Sequence, residues 1–369
     1  MHNIKSIIYI FNGRFPTEKA HGIQIAKMCE AFSVAGIPVT LMVPYRYGAL
    51  PEDPFDYYGL KKDFKMTRVW GLDPLWLWNY SQRVAYYLQI FSSSLGILIN
   101  LLINIGSSRK SILYTRDYPT LILLAMLGFS PVVEVHDYRL TRPSRFLAWS
   151  FSRARKIIVN SVGTKVALLK HYPIPTGKLL ACPNGVDTDF FNIKIKQTEA
   201  REKLGLPLTA FIIGYTGRLE TAGQSKGVDI LIQAFELMHN NVPNAYLCIV
   251  GGSKSVPYWQ IPLYLRSFDV AVLPLGSGSL ARTTAPMKLF EYLASGCAIV
   301  AADASSIREY LDDSTAVFFD STSPESLALT LQTLAQNDQK RASLREAAWG
   351  KAPSYTWNLR AINIINFIQ

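Results

Sequence analysis

Short apolar runs alternate along the chain with longer segments in which apolar residues recur every three or four positions. The short runs predict buried β-strands, and the longer segments predict amphipathic helices such as Ile23–Ala35 and Val228–Met238. This alternation predicts an α/β fold of parallel sheets with helices on both faces. The predicted strands are Ser6–Phe11, Val39–Val43, Ile112–Tyr114, Val132–Val135, Lys156–Val159, Phe211–Tyr215, Ala245–Val250, Val270–Leu273 and Ala298–Ala301.

A polar segment at residues 188–208 interrupts the alternation and contains only a short helical pattern. We therefore predict an N-terminal domain at 1–187, a linker at 188–208, a C-terminal domain at 209–352 and a terminal segment at 353–369. The two domains are expected to be Rossmann-like, with a cleft between them. Ligands of such sheets bind at the carboxyl ends of the strands, so the loops there are candidates for the functional site.

The composition fits a globular protein, because 49% of the 369 residues are hydrophobic and 18% are charged. The four cysteines are far apart, which predicts neither a zinc site nor a disulfide framework. Reduced thiols in the cytosol are the simplest interpretation. The N-terminus enters a strand directly and lacks a signal-peptide cleavage pattern.

The positive charge is unevenly distributed. Residues 1–187 contain 22 Lys and Arg against 11 Asp and Glu, whereas residues 188–369 contain 16 of each class. A basic half of this kind predicts an anionic partner, either nucleic acid or an anionic membrane. No nucleic-acid-binding motif accompanies the charge, which favours the membrane.

Two segments of the basic half combine apolar residues with this charge. Phe91–Gly106 is an apolar run of about 15 residues, shorter than the ~20 that span a bilayer. Arg142–Lys156 mixes five basic residues with Phe, Leu and Trp. Such helices can lie in a membrane interface, so we predict peripheral attachment at the cytosolic face of the membrane. The alternative is a buried core helix at 84–105 and an ordinary surface helix at 142–156.

The segment Ala285–Gly296 predicts a helix, because Pro286 suits its first turn and Gly296 suits its end. Lys288 and Glu291 are three residues apart and share one face of this helix. A cation and a carboxylate in this arrangement could hold the hydroxyl groups of a polar ligand. The alternative is a solvated helix face.

Two further loops follow predicted strands. Asn12–Lys27 contains Gly22 before a helix, where free N–H groups favour phosphate, but it lacks the glycine fingerprint of NAD-binding proteins. Gly214–Phe235 contains Arg218 and Lys226 on either side of a loop that precedes a helix. Two cations and helix amides could neutralise a diphosphate without a metal. The alternative is two surface cations beside a turn.

Together these stretches resemble retaining glycosyltransferases of family 4, which have the GT-B fold. The resemblance implies two Rossmann-like domains that face each other across a cleft. It also implies that a helix within Tyr355–Gln369 crosses back onto the N-terminal domain. The similar stretches lie in the expected order and are GRFPTEKAHGIQIAKMCEAF, VVEVHD, IIVNS, PNGVDTDFF, GYTGRL with KGVDILIQAF, and APMKLFEYLASG with IVAAD and IREYL.

The resemblance also implies roles for individual residues. Arg218 and Lys226 would hold the donor diphosphate and stabilise the leaving group, while Glu291 would accept hydrogen bonds from the ribose. The amides near Lys288 and Leu289 would approach the diphosphate.

Two more residues receive roles from the N-terminal half. Gly22 would face the donor from the N-terminal domain, and His136 would lie near the transferred sugar.

The chain departs from the family pattern at two places. Thr283 occupies the position, eight residues before Glu291, where the family usually has a carboxylate beside the donor sugar. The segment 253–260 replaces a longer family segment that usually contains a helix and a strand, which leaves the base specificity and the completeness of the second sheet open. Asp187 and Asp189 form a D-x-D pattern, which we interpret as a loop and not as a metal site.

The leading hypothesis is therefore a metal-independent retaining glycosyltransferase without a cofactor. It would transfer a sugar from a UDP- or GDP-linked donor to a lipid-linked or glycan acceptor at the cytosolic membrane face. One alternative is a donor-binding or scaffold subunit with impaired catalysis. A less favoured alternative is a nucleotide-sugar epimerase, whose chemistry requires more carboxylates than the predicted cleft offers.

Overall fold

The chain folds into two compact units, Met1–Pro183 with Trp357–Gln369 and Asn184–Thr356. Residues 188–208, predicted as a linker, lie within the second unit, where the Arg201 guanidinium donates 2.6 Å to the Asp269 carboxylate. The computed structural model describes residues 4–47, 49–61, 64–136, 144–221, 224–252, 256–276, 283 and 285–369.

The first unit contains a parallel sheet that has seven strands among its described residues, in the order β3-β2-β1-β4-β5-β6-β7. Strand β1 lies between β2 and β4, with Ile7 opposite both Val39 and Ile112. These strands are β1 (Ile7–Ile10), β2 (Val39–Pro44), β3 (Lys65–Val69), β4 (Ile112–Thr115), β5 (Val132–Val135), β6 (Lys156–Val159) and β7 (Leu179–Ala181).

Helices connect these strands, as parallel pairing requires. Ser81 and Ser161 cap two of them, each accepting a hydrogen bond from an amide three residues later. The helices are α1 (Ala20–Val34), α2 (Pro54–Tyr58), α3 (Leu75–Trp78), α4 (Gln82–Ile103), α5 (Ile105–Ser108), α6 (Tyr118–Met126), α7 (Arg145–Arg153) and α8 (Val162–His171).

The second unit repeats the α/β arrangement. Its parallel sheet has the described order β11-β8-β12-β13-β14, and a two-stranded antiparallel hairpin, β9 and β10, follows β8. The strands are β8 (Phe211–Thr216), β9 (Glu220–Thr221), β10 (Gln224–Ser225), β11 (Ala245–Val250), β12 (Val270–Leu273), β13 (Ala298–Ala302) and β14 (Ala316–Phe319). The helices are α9 (Thr188–Phe191), α10 (Gln197–Leu204), α11 (Val228–His239), α12 (Ile261–Ser267), α13 (Met287–Ser295), α14 (Ser305–Arg308), α15 (Pro324–Ala335) and α16 (Asp338–Lys351).

The short 253–260 segment does not interrupt the second sheet. It follows β11, which is an edge strand of that sheet. If a further strand beside β11 is missing, β11 becomes the edge strand and the hydrogen bonds among the remaining strands are unaffected. Residues 253–255 lie outside the described residues, and Tyr258–Gln260 form one turn of 3-10 helix.

The final helix, α17 (Trp357–Ile368), belongs to the first unit, which confirms the predicted return of the C-terminus. It packs against α1 and β6. The Arg155 guanidinium, just before β6, donates 3.1 Å to the Ile368 carbonyl and so fastens the end of the helix.

The apolar run predicted at 91–106 differs from the observed helix. Helix α4 has 22 residues, begins at Gln82, and is long and apolar enough by length and composition to cross a membrane. Only 28% of its most apolar window is buried, so it is not the core helix considered as an alternative at 84–105. In the other predicted segment, Arg142 and Pro143 lie outside the described residues, and α7 accounts for most of the rest.

Candidate active site

Helix α13 is fixed to the carboxyl end of β8. The Tyr292 hydroxyl accepts a 3.0 Å hydrogen bond from the Thr216 amide at the last residue of β8. Leu289 and Leu293 are fully buried in the core, as the helical pattern predicts. Gly296 ends the helix with a left-handed φ of 63°, which glycine adopts without a steric penalty. The first turn of α13 is therefore held at the edge where a parallel sheet binds ligands.

The amides of this first turn differ in their availability. The Leu289 amide donates 3.1 Å to the Pro286 carbonyl, so the amide that the resemblance assigned to the diphosphate already has a partner. Met287 and Lys288 precede it, and amides at these positions have no acceptor within their own helix. The positive end of the helix dipole therefore coincides with these two residues.

The Lys288 side chain folds back over β8. Its ammonium lies 3.6 Å from the centroid of the Tyr215 ring, a cation–π contact. Gly217 makes room for it, since a Cβ at this position would lie 3.0 Å from Lys288 Nζ. The Tyr215 hydroxyl donates 2.7 Å to the Arg218 carbonyl, so one aromatic residue positions both Lys288 and the loop that contains Arg218.

Arg218, Lys226 and Lys288 form a group that we call the cationic cluster. The β9–β10 hairpin brings the first two together, and the Lys226 amide donates 2.8 Å to the Leu219 carbonyl across its base. Burial lowers the pKa of Lys226, and the charge of Arg218 lowers it further. Burial holds the pKa of Lys288 well below its usual value, and Lys226 adds to this effect. The three cations repel one another, and an anion among them would relieve that repulsion.

Glu291 lies on the same helix face as Lys288, as predicted, and is buried. Its carboxylate accepts a 3.1 Å hydrogen bond from the Tyr258 hydroxyl. Burial raises the pKa of Glu291 to about 7, while Tyr258 and Lys288 act in the opposite direction. The carboxylate is thus near its midpoint of ionisation at neutral pH.

Tyr258 is a site residue that the motifs did not reveal. Its ring stacks on Phe190, with centroids 5.3 Å apart and planes at 14°, and it meets Phe191 edge-on. Two features of the sequence could have indicated Tyr258. It lies in the short 253–260 segment, and the PNGVDTDFF stretch supplies a pair of Phe residues as aromatic partners. These aromatic contacts hold the phenol against Glu291.

Replacing Glu291 with glutamine is expected to stabilise the ligand-free protein at pH 8 by up to about 3 kcal/mol. The folded-state pKa of about 7 exceeds the unfolded value of 4.5, so wild-type stability falls as the pH rises between these values. The amide of Glu291→Gln carries no charge and can still accept from Tyr258.

Urea unfolding at pH 5 and pH 8 measures this effect, with the exposed Glu236→Gln as control. If Glu291→Gln raises the free energy of unfolding at pH 8 and has little effect at pH 5, the result agrees with a buried carboxylate. Equal stability of Glu291→Gln and wild type at pH 8 would contradict it.

The first unit contains a second buried polar group around His136. His136 Nε2 lies 2.5 Å from a Glu134 carboxylate oxygen, which also accepts 2.5 Å from the Arg360 guanidinium. The Gln24 amide and the Tyr114 hydroxyl donate to the same carboxylate at 2.9 and 2.6 Å. Glu134 and Arg360 were not predicted as site residues.

The charges of this group determine the state of His136. Burial opposes ionisation of Glu134, but the charge of Arg360 holds its pKa well below the usual value, and the hydrogen bonds from His136 and Tyr114 act in the same direction. Burial, assisted by Arg116, lowers the pKa of His136 to about 4. His136 is therefore neutral at pH 7 and serves as a hydrogen-bonding group, not as a cation.

Three other predicted positions have simpler surroundings. Gly22 lies in the first turn of α1, where a Cβ would collide with the Tyr58 hydroxyl and lie 2.7 Å from Thr17 Cγ2, so local packing alone explains the glycine. Thr283 is half-buried, and its neighbours 277–282 and 284 lie outside the described residues. Asp187 caps α9 by accepting 3.1 Å from the Phe190 amide.

Within the part of the chain that the structure describes, no three His, Cys, Asp or Glu side chains group together as ligands of a metal ion would.

The architecture defines a fold class. The structure is similar to sucrose-phosphate synthase from Thermosynechococcus elongatus, with a TM-score of 0.75 and 14% identity over 98% of this chain and 97% of the other. It is also similar to Anabaena HepE, solved in complex with UDP and glucose, with a TM-score of 0.66 and 14% identity over 98% and 99% of the two chains. The chain has the predicted GT-B fold.

The sequence comparisons find similarity over part of the chain. Residues 210–337 match the family described as glycosyl transferases group 1. A curated relative, the D-inositol 3-phosphate glycosyltransferase of Corynebacterium aurimucosum, is 24% identical over 241 residues, which are 57% of this chain and 55% of that protein. The chain spans about half the length of the curated relatives it matches. These matches confirm the resemblance to group 1 glycosyltransferases.

Proposed function

We propose that this protein is a retaining glycosyltransferase that takes its sugar from a nucleotide-sugar donor. The observation that carries the proposal is the cationic cluster, which lies beside the buried Glu291 in the region that matches group 1 glycosyltransferases. A diphosphate needs several cations, and a ribose needs a hydrogen-bond acceptor. The second unit supplies both around the first turn of α13.

The proposed chemistry depends on the leaving group. As the bond between sugar and phosphate breaks, negative charge accumulates on the nucleoside diphosphate. Arg218, Lys226 and the first amides of α13 are preorganised to stabilise that charge. Burial and mutual repulsion lower the pKa values of Lys226 and Lys288, so an arriving diphosphate gains more than it would at solvated lysines. In this proposal the reaction proceeds without a metal ion.

Glu291 would bind the donor ribose. Both oxygens of an ionised carboxylate can accept hydrogen bonds from the ribose hydroxyls. Lys288, which would bind the diphosphate, lies on the same helix face. The hydrogen bond from Tyr258 keeps the Glu291 side chain in one orientation. UDP is the first candidate for the nucleotide, because the similar Anabaena protein was solved with UDP and glucose. GDP is the second candidate.

The neutral His136 is proposed to lie near the transferred sugar, with Glu134 and Arg360 setting its orientation. Thr283 offers a hydroxyl, and not a carboxylate, at the position next to the donor sugar. Transfer with retention would therefore rely on the diphosphate and the acceptor more than on a protein carboxylate. The lack of a charge at Thr283 also motivates the second candidate, a donor-binding subunit with impaired catalysis.

The acceptor is proposed to be a lipid-linked or glycan molecule at the cytosolic face of a membrane. The support for this is the excess of 11 positive charges in residues 1–187 together with the exposed apolar helix α4. Both features occur in the first unit, which would bind the acceptor.

A thermal-shift series with nucleoside diphosphates and nucleotide sugars tests the donor. The matching ligand is expected to stabilise the protein by about 2.7 kcal/mol at 100 times its dissociation constant. A uridine or guanosine diphosphate should stabilise, and the corresponding monophosphate should do so less. The proposal fails if no nucleoside diphosphate raises the melting temperature. Stabilisation without turnover of the donor, with membranes supplied as acceptor source, would favour the impaired subunit.

A further inference from the structure

Helix α4 buries mostly small residues and leaves most of its large apolar residues exposed. Its buried residues are Ala85, Ser92, Ser93 and Gly96, with Ile97 and Leu101 as the two large ones. Gly96 is required there, since a Cβ would collide with the backbone of Trp70. A surface helix of a soluble protein normally buries most of its large apolar side chains.

The outward face of α4 carries large apolar side chains along its length. Phe91 is 72% exposed and Ile103 is 77% exposed. A spacing of three and four residues places most of these side chains on one stripe, which we call the α4 stripe. Its residues are Val84, Leu88, Phe91, Leu95, Ile99 and Leu102.

Exposed aromatic residues continue this surface beyond the N-terminus of α4. Helix α3 packs against α4 and presents Trp76, which is 71% exposed, and Tyr80 follows it at 85%. Contiguous exposed apolar surface of this extent marks an interaction site. Trp and Tyr are the residues that favour the boundary between lipid headgroups and acyl chains.

The charged residues of α4 and of the segment that follows it are all positive. Arg83 is the single charged residue of α4, and the exposed Arg109 and Lys110 follow shortly after its last turn. Near that end, a pocket of about 510 Å³ combines the apolar side chains of Leu98 and Leu102 with Arg109. An anionic group joined to an acyl chain is the ligand that matches these walls.

Hydrogen bonds fasten the inner face of helix α4 to the first unit. The Arg46 guanidinium, after β2, donates 2.5 Å to the Ser93 hydroxyl and 2.9 Å to the Leu72 carbonyl. The Leu72 amide in turn donates 2.9 Å to the Ser92 hydroxyl. The inner face is thus held by specific hydrogen bonds, while the α4 stripe remains outside. This geometry fits a helix that lies in the membrane interface.

We propose that the α4 stripe, with Trp76 and Tyr80, docks onto a bilayer of anionic phospholipid. This inference rests on the proposed function, because it names the surface and the lipid class through which the enzyme would reach a membrane acceptor. The positive flanks distinguish this occupant from a second copy of the chain, which would bring the same charges into opposition. They also exclude an uncharged bilayer as the preferred surface.

Vesicle flotation tests the docking surface with phosphatidylglycerol and phosphatidylcholine vesicles. Wild-type protein is expected to float with phosphatidylglycerol vesicles at low salt and to bind phosphatidylcholine vesicles weakly. Phe91→Ser/Leu95→Ser should lower partitioning about tenfold or more, because both side chains lose their apolar insertion. Both are exposed, so the thermal unfolding of this variant should match that of wild type.

Leu237→Ser/Leu329→Ser is the matched control, since both leucines are exposed on helices of the second unit. It should float like wild type. The proposal is overturned if wild type ignores phosphatidylglycerol vesicles, or if Phe91→Ser/Leu95→Ser floats equally well. A third result would also overturn it: wild type is a dimer, Phe91→Ser/Leu95→Ser is a monomer, and neither protein binds vesicles.

Binding of a nucleoside diphosphate to the same proteins separates this inference from the proposed function. Wild type and both double variants should bind the nucleoside diphosphate equally, because none of the four substituted residues belongs to the cationic cluster. Loss of flotation with intact nucleotide binding confirms the docking surface. If none of the three proteins binds the nucleotide while flotation follows the expected pattern, the proposed function alone is contradicted.

Discussion

Replacing Arg360 with methionine is expected to destabilise the protein by about 3–5 kcal/mol. Arg360 lies on α17 and is buried, and its guanidinium donates 2.5 Å to Glu134 and 2.7 Å to the Pro183 carbonyl. Methionine fills a similar volume but leaves the Glu134 carboxylate buried without its cation. An unbalanced buried charge costs more than the ion pair itself contributes, so the effect should be large.

A double variant separates the charge effect from lost packing. Glu134→Gln/Arg360→Met removes both charges and should recover part of the stability lost in Arg360→Met. Recovery will be incomplete, because the hydrogen bond to Pro183 is also lost. Asn363→Ala, at an exposed position on the same helix, is the control for effects on helix formation.

Urea unfolding of wild type, Arg360→Met, Glu134→Gln, the double variant and Asn363→Ala measures these differences. A loss below about 1 kcal/mol for Arg360→Met would contradict the assigned role of the pair. So would a double variant whose loss equals the sum of the single losses, because residues in one network are expected to be coupled.

The sequence predicted the central strands of both sheets well, because strands buried on both faces appear as continuous apolar runs. It missed β3, β7 and β14, which are all edge strands. Strand β3 has the mixed sequence KMTRV, so no apolar run marks it. The sequences LLA of β7 and AVFF of β14 are apolar but short, and a short apolar run alone does not distinguish a strand from a buried helix segment. The edge strand β11 was predicted because its apolar sequence AYLCIV is six residues long.

The candidate site shows a similar division. Lys288 and Glu291 were recognised because helical spacing relates them locally, and the structure places both on one face of α13. Tyr258 was missed because its partner Glu291 lies 33 residues away, and no local pattern relates the two.

The Glu134 group was missed for the same reason, since Arg360 is 226 residues from Glu134. Each residue nevertheless left a signal. Glu134 is a carboxylate inside the otherwise apolar strand VVEV, and Arg360 precedes the core residue Ala361 in an apolar helix. A charged residue in a core position predicts a partner but does not identify it.

Removing one cation from the cationic cluster is expected to have the largest effect on catalysis. Arg218→Ala or Lys226→Ala should each lower donor turnover by about 100- to 1,000-fold, the range seen when one preorganised donor to a developing charge is lost. The loss should not come from unfolding. Lys226 is held in the folded state at a lowered pKa, so its removal relieves repulsion with Arg218 and Lys288.

Lys340→Ala is the matched control for these variants. Lys340 is an exposed lysine of the same unit, on α16, and its removal changes the net charge by the same amount as Lys226→Ala. Its turnover should equal that of wild type, because a solvated lysine outside the cationic cluster cannot stabilise the departing diphosphate. All four proteins should unfold at similar temperatures.

The most direct test of the cationic cluster is a donor-turnover assay. It measures release of nucleoside diphosphate from the nucleotide sugar that stabilises the protein, with membranes supplied as acceptor source. We expect rapid release by wild type and Lys340→Ala, together with a product of unchanged anomeric configuration. Lys226→Ala should be folded but nearly inactive. Full activity of Lys226→Ala would show that the cationic cluster does not stabilise the donor diphosphate.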